Sequence, residues 1–266
     1  MSIMEMISET LEKYDSIGLD QLDEVRLMNR HDLKYLFPVQ IVPELLSVLE
    51  DRYRVLEIGD MRGQEYETLY YDTDDLDMYR MHHRGKRERH KVRFRRYTTS
   101  DTVFLEVKRK DNKGVTDKSR VQCEGAERFL LSEEEEFLST YSPFEEAHLH
   151  PVIRNSFRRI TLISKEEKER ITIDFDLQIQ KAENGQGVDL RGISVAEVKR
   201  EGPVRQSPLS KQLHGWHIRP SQFSKYCIGV AKLIPGVPFN RFKELLRRVD
   251  RINEKGLNEH SIKNTL

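Results

Sequence analysis

The sequence is poor in the features that mark several large classes of protein. It has only two cysteines, Cys123 and Cys227, which lie far apart and form no CxxC pair. This spacing argues against a structural zinc site and suits a reducing compartment, so we expect a cytoplasmic protein. No stretch approaches the roughly 20 apolar residues of a membrane-spanning helix. The acidic start, MSIMEMISETLEK, lacks the basic segment of a secretory signal.

The chain also lacks a net charge. Its 45 Lys and Arg residues are balanced by 45 Asp and Glu residues in a total of 266, whereas a general nucleic-acid binder usually has a basic excess. The glycine-rich motifs of phosphate-binding loops are absent as well. We therefore expect no nucleic-acid partner. Any basic site must be local and balanced by acidic segments such as SEEEEF at 132–137.

The apolar spacing that is present predicts an α+β chain with a dominant antiparallel sheet. Helical spacing covers residues 1 to about 28, the segment VPELLSVLEDRY, an acidic segment at about 126–141 and the tail from Pro208 onward. At least seven or eight strands account for most of the remainder. Hairpin turns are predicted at DNKG (111–114) and KEEK (165–168).

Basic side chains recur on one face of successive predicted strands. Lys91, Arg93 and Arg95 alternate with Val92 and Phe94, and side chains alternate across a strand. Charged residues share a face in the same way in four further groups: Glu106 with Lys108, Lys118 with Arg120, Arg170 with Asp174 and Asp176, and Glu197 with Lys199. A sheet with one wet face explains this pattern. The alternative is a closed barrel that turns these faces inward; it is favoured by the recurrence of Arg and Lys from strand to strand, where a wet face usually mixes Thr, Ser, Gln, Glu and Lys.

A cationic interior would need a partner, because each charge loses hydration there and repels its neighbours. Glu106, Asp174 and Glu197 offset only part of the positive charge. The remainder implies a polyanion, and Arg and Lys are the usual phosphate ligands. A carboxylate among them suggests a divalent metal, since Mg²⁺ is typically held by one or two carboxylates together with phosphate oxygens.

The order of the motifs resembles a known family. RHDLKYLFP, LYYDTDDLDMYR, KVRFRRY, FLEVKRK, DKSRV, RNSF, RITIDFDL, AEVKR and FSKY follow one another between about residues 25 and 235. Together they resemble the VTC-type polyphosphate polymerase domain of the triphosphate tunnel metalloenzyme (CYTH-like) superfamily. The resemblance implies an antiparallel eight-stranded β-barrel tunnel with a basic interior, flanked by N-terminal and C-terminal helices. It divides the chain into a helical segment (1–25), a catalytic domain (26–236) and a C-terminal helix and tail (237–266).

The resemblance also implies an activity. Such enzymes transfer the γ-phosphate of ATP to a growing polyphosphate chain and need Mn²⁺ or Mg²⁺, so the expected partners are ATP and inorganic polyphosphate. Because no membrane span is seen, a link to a membrane would require a partner protein. Two alternatives stay open: a tunnel-type phosphatase that hydrolyses ATP or inorganic triphosphate, and a non-catalytic polyphosphate-binding module.

Roles for individual residues follow from the same motifs. The resemblance assigns Lys34 to the nucleotide end, Glu197 to the metal, and Ser224 and Lys225 to the handling of the phosphate chain. The remaining predicted phosphate ligands are Arg93, Arg95, Lys108, Lys118, Arg120, Arg154, Arg158, Arg170 and Lys199.

One motif departs from the related triphosphatases, which open with ExExK. Here the stretch is RHDLK, with Arg30 and Asp32 in place of the two glutamates. The change removes one metal ligand and favours the polymerase. Outside the charged faces, we expect Tyr70 and Tyr71 to be packing residues and Asp72 to cap a turn.

Overall fold

The computed structural model describes residues 1–22, 30–113, 115–125 and 132–258. Its strands are β1 (Ser16–Ile17), β2 (Arg30–Pro38), β3 (Tyr53–Leu56), β4 (Gln64–Asp72), β5 (Arg89–Tyr97), β6 (Thr102–Lys110), β7 (Thr116–Cys123), β8 (His150–Ser164), β9 (Glu169–Lys181), β10 (Gly187–Leu190) and β11 (Ile193–Glu201). Its helices are α1 (Ile3–Glu12), α2 (Leu19–Leu22), α3 (Val42–Leu49), α4 (Asp77–His83), α5 (Ser132–Tyr141), α6 (Pro208–Gly215), α7 (Lys225–Leu233) and α8 (Lys243–Leu257). Within these residues, none of the helices has the length and hydropathy needed to span a bilayer.

The N-terminal segment differs from its prediction as one helical stretch. The short strand β1 separates α1 from α2 and pairs in parallel with β3. Residues 23–28 of the predicted helix, Gly114 of the predicted DNKG turn and residues 126–131 of the predicted acidic helix lie outside the described residues. The predicted KEEK turn does connect β8 to β9.

The strands form one large sheet. Eight of them are neighbours in the order β2-β11-β9-β8-β4-β5-β6-β7, and each adjacent pair is antiparallel. This confirms the predicted α+β class and the eight-stranded antiparallel path. Over the described residues, no ladder joins β2 to β7, so hydrogen bonding leaves the path open at that point.

The outer face of the sheet is apolar, as the alternating pattern predicts. Helices α1, α3 and α6 pack on a fully buried row from β8, β9 and β11 that includes Ile160, Ile173 and Val198. A second outer cluster, around Phe94 and Leu105, lies between β5, β6 and α5. Both apolar clusters lie on the outer face. Because side chains alternate across a strand, the charged residues between them lie on the inner face.

Helix α7 covers part of the inner face. Its apolar side packs on Ile153 of β8 and Ile179 of β9, in a cluster that also contains Leu36 and Val195. A bulge in β9 makes this contact possible: Asp176 has φ +54°, and the register with β8 shifts there. An extra residue reverses the alternation, so β9 carries charge on its inner face before the bulge and apolar side chains after it.

Candidate functional site

The first part of the charged inner face lies on β5, β6 and β7. Glu106 is fully buried and accepts a hydrogen bond from Arg93 Nε at 2.8 Å. Lys118 Nζ lies 2.5 Å from its other oxygen. Although burial opposes ionisation, Arg93, Arg95 and Lys118 hold the pKa of the Glu106 carboxyl well below its usual range. Glu106 is therefore an anion that orders the surrounding cations.

A second group lies on β2 and β11. Lys34 and Glu197 are opposite one another in the ladder, with 3.4 Å between Nζ and Oε1. Lys199 Nζ donates to Glu197 Oε2 at 2.5 Å. Burial raises the pKa of Glu197, but the two lysines outweigh it and hold the pKa well below its usual range. Glu197 thus keeps its charge between two ammonium groups.

The third group joins the sheet to α7. Arg159 on β8 forms a bidentate pair with Asp174 on β9, with Nε–Oδ1 at 2.6 Å and Nη2–Oδ2 at 2.9 Å. Lys225 at the start of α7 donates to the same carboxylate. Its Nζ lies 3.8 Å from the centre of the Phe157 ring, a cation–π contact. The first turn of α7 therefore places Lys225 in the charged interior.

Ser224 has a supporting role at the same helix end. Its hydroxyl accepts a hydrogen bond from Cys227 N at 3.3 Å and so caps α7. It also accepts one from Lys91 Nζ of β5 at 2.9 Å. Asp72 supports the neighbouring α4 by accepting from the amides of Met78 and Tyr79, which agrees with its predicted capping role.

The sheet curls so that strands distant along the path share this interior. Lys34 lies on β2, the first strand of the path, and Lys108 on β6, the seventh. Lys108 is exposed, but enclosure of its ammonium group and then the field of Lys34 lower its pKa to about 7. The segment before α7 joins the two sides of the sheet: Ser221 N donates to the Lys34 carbonyl of β2 at 2.8 Å, and the Ser224 hydroxyl accepts from Lys91 Nζ of β5 at 2.9 Å. The fold is tunnel-like even though its ladder is open.

The interior contains more cations than its carboxylates can pair. Arg95 is the clearest example. It is only 6% exposed, and its side chain donates a hydrogen bond to the neutral Thr68 Oγ1 at 3.4 Å. Among the described residues, no carboxylate forms an ion pair with Arg95. Burial, Arg93 and Arg159 all lower its pKa. A buried guanidinium in this setting is costly unless an anion joins it.

The structure brings most of the predicted phosphate ligands to the inner face. Arg93, Arg95, Lys108 and Lys118 lie there together with Lys34, Glu197, Lys199, Ser224 and Lys225. The register also places Arg170 on this face, opposite Lys199. Arg120 lies opposite Glu106, but it is exposed and stacks 4.6 Å from the centre of the Phe104 ring.

Arg154 and Arg158 are not part of this group. Arg154 lies opposite Leu69 and Arg158 opposite Glu65, and both of these β4 residues are on the outer face. Arg159, one position further on, is the inner arginine of β8. Two further inner-face residues were not among the predicted ligands: Lys91, although alternation placed it beside Arg93, and Tyr70, which was expected to be a packing residue. The motif RNSF pointed to Arg154, whereas the register places Arg159 on the inner face of β8.

Comparison with known proteins gives one family and several structures. The family model of the VTC domain matches residues 29–234. A comparison with curated protein sequences gives no match.

Three solved structures illustrate the similarity. The putative adenylyl cyclase HpAC1 from Hippeastrum, described as having a dominant triphosphatase activity, is 14% identical with a TM-score of 0.47, over 78% of this chain and 98% of that one. A putative adenylate cyclase from Bacillus halodurans is 14% identical with a TM-score of 0.44, over 78% and 100%. The PH1819 protein from Pyrococcus horikoshii is 15% identical with a TM-score of 0.44, over 76% and 99%.

The matched range contains every inner-face residue named above, from Lys34 to Lys225. The family model covers well over half of the chain. The protein therefore belongs to the VTC domain family, as its motifs indicated.

Proposed function

We propose that the protein is a polyphosphate polymerase that extends an inorganic polyphosphate chain with the γ-phosphate of ATP. The buried guanidinium of Arg95 carries this proposal. It lies over the Tyr66 and Phe157 rings and has no carboxylate partner among the described residues. It is repelled by Arg93 and Arg159, so an anion would stabilise it. A single phosphate could neutralise one such group. A row of cations that runs from Lys34 through Lys108 and Arg93 to Lys225 suits a longer chain of phosphates.

The transfer needs no dedicated base. A terminal oxygen of the polyphosphate chain attacks the γ-phosphorus of ATP and forms a new P–O–P bond. The bond between the γ-phosphorus and the β,γ-bridging oxygen breaks, and ADP leaves with the electron pair. Phosphoryl transfer of this kind depends on alignment and on neutralising charge around the moving group.

The inner arginines provide that charge without a change of protonation. Tyr70 and Glu106 outweigh the effect of burial and raise the pKa of Arg93, and Asp174 does the same for Arg159. Both guanidiniums therefore stay cationic. Their forks suit phosphoryl oxygens. In our proposal Arg93, Arg95 and Arg159 grip the reacting phosphates, and Lys34 lies at the nucleotide end.

The donor set fits a divalent metal that is held mainly by the substrate. Over the described residues, no group of three or more His, Cys, Asp or Glu side chains could bind a metal on its own. Glu197 is one ionised carboxylate, and Mg²⁺ or Mn²⁺ commonly combines such a ligand with phosphate oxygens and water. When bound, the metal would neutralise part of the phosphate charge.

Incubation of the purified protein with ATP and either Mn²⁺ or Mg²⁺ tests the proposal. We expect ADP together with long polyphosphate chains on a gel. ADP with inorganic phosphate alone would instead support the triphosphatase alternative. Anion binding without any turnover would support a non-catalytic binding module.

A matched pair of variants links the activity to the inner face. Arg95→Gln removes the buried guanidinium, and we expect polymer synthesis to fall by about 100-fold or more. Arg96→Gln changes the next residue of β5, which is exposed and paired with Asp101 at 2.6 Å on the outer face. Arg96→Gln should keep near-normal synthesis. Equal losses in the two variants would contradict the proposed site.

A further inference from the structure

The hydroxyl group of Tyr70 lies in the most cationic part of the inner face. Tyr70 is 5% exposed, and its Oη accepts a hydrogen bond from Arg93 Nη1 at 3.1 Å. Its ring stacks on Tyr226 of α7, with 5.1 Å between the ring centres. Tyr70 therefore connects the arginine that we place on the reacting phosphates with the helix that carries Lys225.

Charged groups face this hydroxyl from several elements. The cations around Tyr70 are Lys91, Arg93 and Arg95 of β5 and Lys225 of α7. The nearest carboxylate on β6, Glu106, is bound by Arg93 and Lys118. On the other side, Tyr226 donates to Asp72. Positive charge therefore dominates at the Tyr70 oxygen.

This setting distinguishes Tyr70 from other buried tyrosines. Burial alone would raise its pKa, but the four cations outweigh burial and lower the pKa to about 8. Tyr66 also faces inward, and burial raises its pKa. Burial, Asp72 and the hydrogen bond to Asp72 likewise raise the pKa of Tyr226.

We propose that Tyr70 is a positioning residue whose oxygen holds the Arg93 guanidinium in the free protein and, where it is ionised, takes up a proton when a phosphate chain enters. The proton comes from solvent and converts phenolate to phenol, with no other bond made or broken. The phenol then offers its O–H to a phosphate oxygen while the same oxygen still accepts from Arg93. This inference rests on the proposed function, because it needs a polyanion in the interior.

The coupling follows from charge balance. In the free protein, the four surrounding cations favour phenolate, which predominates above about pH 8. A bound phosphate chain neutralises the same cations, so the advantage of phenolate disappears and the pKa of Tyr70 rises. By reciprocity, raising the pH through the free-state pKa must weaken binding of the phosphate chain.

Tyrosinate absorbance tests the first half of this inference. Intact protein is titrated between about pH 6.5 and 9.5, with and without inorganic tripolyphosphate. We expect one of the 10 tyrosines to ionise at about pH 8 in the free protein. Tyr70→Phe should remove this step, whereas Tyr66→Phe should retain it. Tripolyphosphate should move the midpoint upward by about one pH unit or more.

Tripolyphosphate affinity tests the second half. Loss of one hydrogen bond to a charged group should weaken binding by Tyr70→Phe about fivefold at pH 7. The difference from the parent protein should shrink towards pH 9, where phenolate disfavours the ligand in the parent. A purely structural role for Tyr70 would instead weaken binding by the same factor at every pH.

The outcomes separate the two proposals. If tripolyphosphate binds to the parent protein without moving the ionisation at about pH 8, or if Tyr70→Phe leaves that ionisation in place, this inference is wrong and the proposed function stands. If tripolyphosphate fails to bind the parent protein at all, the proposed function fails, and this inference fails with it.

Discussion

Two buried carboxylates of the sheet, one on each face, have similar neighbours and different charge balance. On the outer face, Glu169 is fully buried and accepts hydrogen bonds from Arg200 Nη1 at 3.0 Å, from Ser207 Oγ at 2.9 Å and from the Tyr53 hydroxyl. Arg200 also lies 3.3 Å from Glu167. Carboxylates in this outer cluster therefore satisfy the single arginine.

On the inner face the balance is reversed. Glu106 is equally buried but lies among Arg93, Arg95 and Lys118. Its two oxygens form ion pairs with Arg93 and Lys118, and among the described residues Arg95 has no carboxylate partner. Burial is common to both clusters, so burial alone does not mark a functional site. The excess of one sign of charge does, because it leaves an interaction for a ligand to complete.

The largest expected effect comes from removing the inner carboxylate. Glu106→Gln leaves three cations without their shared anion, and we expect the free energy of unfolding to fall by about 4 kcal/mol. Saturating tripolyphosphate should recover most of this loss, since a polyanion can replace the missing charge. Urea unfolding with and without tripolyphosphate measures both values.

Glu67→Gln is the control for this variant. Glu67 lies on β4, two strands from Glu106, on the outer face, in an exposed pair 3.8 Å from Arg96. Such a pair contributes about 0–1 kcal/mol. A deficit in Glu106→Gln that tripolyphosphate leaves unchanged would mean that Glu106 is a structural brace like Glu169.

The outer cluster should respond differently to the same change. Glu169→Gln isolates the Arg200 charge, and we expect a loss of about 3 kcal/mol in the free energy of unfolding. Tripolyphosphate should not reduce this loss, because the cluster lies on the far side of the sheet from the phosphate ligands. Glu167→Gln, an exposed neighbour of Arg200, should cost less than about 1 kcal/mol. Rescue of Glu169→Gln by tripolyphosphate would remove the distinction between the faces.

The division into these two faces could be predicted from the sequence. Alternation along β5, β6 and β11 assigns Val92, Leu105 and Val198 to one side, and the structure buries all three in the outer clusters. The charged residues next to them along each strand must therefore point to the inner face. The motif order was enough to identify the family, because it preserved the spacing of these strands along nearly the whole chain.

Two features could not be predicted from a pattern of period two. The bulge at Asp176 inserts a residue, so Ile179 faces inward although Ile173 faces outward. The approach of β2 to β6 depends on the curvature of the whole sheet and is invisible in local spacing. Arg159 was missed for a simpler reason: RNSFRR offers three arginines, and only the pairing with β4 shows which one faces inward.

Helix α7 covers the inner cluster, and Gly229 sets its distance from the sheet. A Cβ atom at this position would lie 2.8 Å from Ile179 Cγ2 and 2.9 Å from Ile153 Cγ2. Gly229→Val should therefore cost about 2 kcal/mol through overpacking and also weaken tripolyphosphate binding by moving Lys225. Gly215→Ala, where an added Cβ meets no atom within 4 Å, is the matched control. Normal binding by Gly229→Val would show that α7 does not position the site.

The smallest effect is a pH dependence that only the inner face should show. Burial lowers the pKa of Lys225 to about 8 despite its contact with Asp174, and burial likewise lowers the pKa of Lys118 to about 8 despite Glu106. In the unfolded chain a lysine has a pKa of about 10.4, so between about pH 8 and 10 the unfolded state binds more protons.

The free energy of unfolding of the free protein should therefore rise over that interval, while each lost ammonium charge weakens tripolyphosphate binding. We expect the affinity to fall on the order of tenfold between pH 7 and 9, as measured by calorimetry. Lys225→Arg keeps its charge over this range and should flatten the fall. The protonated lysines destabilise the free protein but attract tripolyphosphate, so stability and affinity should change in opposite directions with pH. If both rise or both fall, the proposal of an excess of cations in the interior is contradicted.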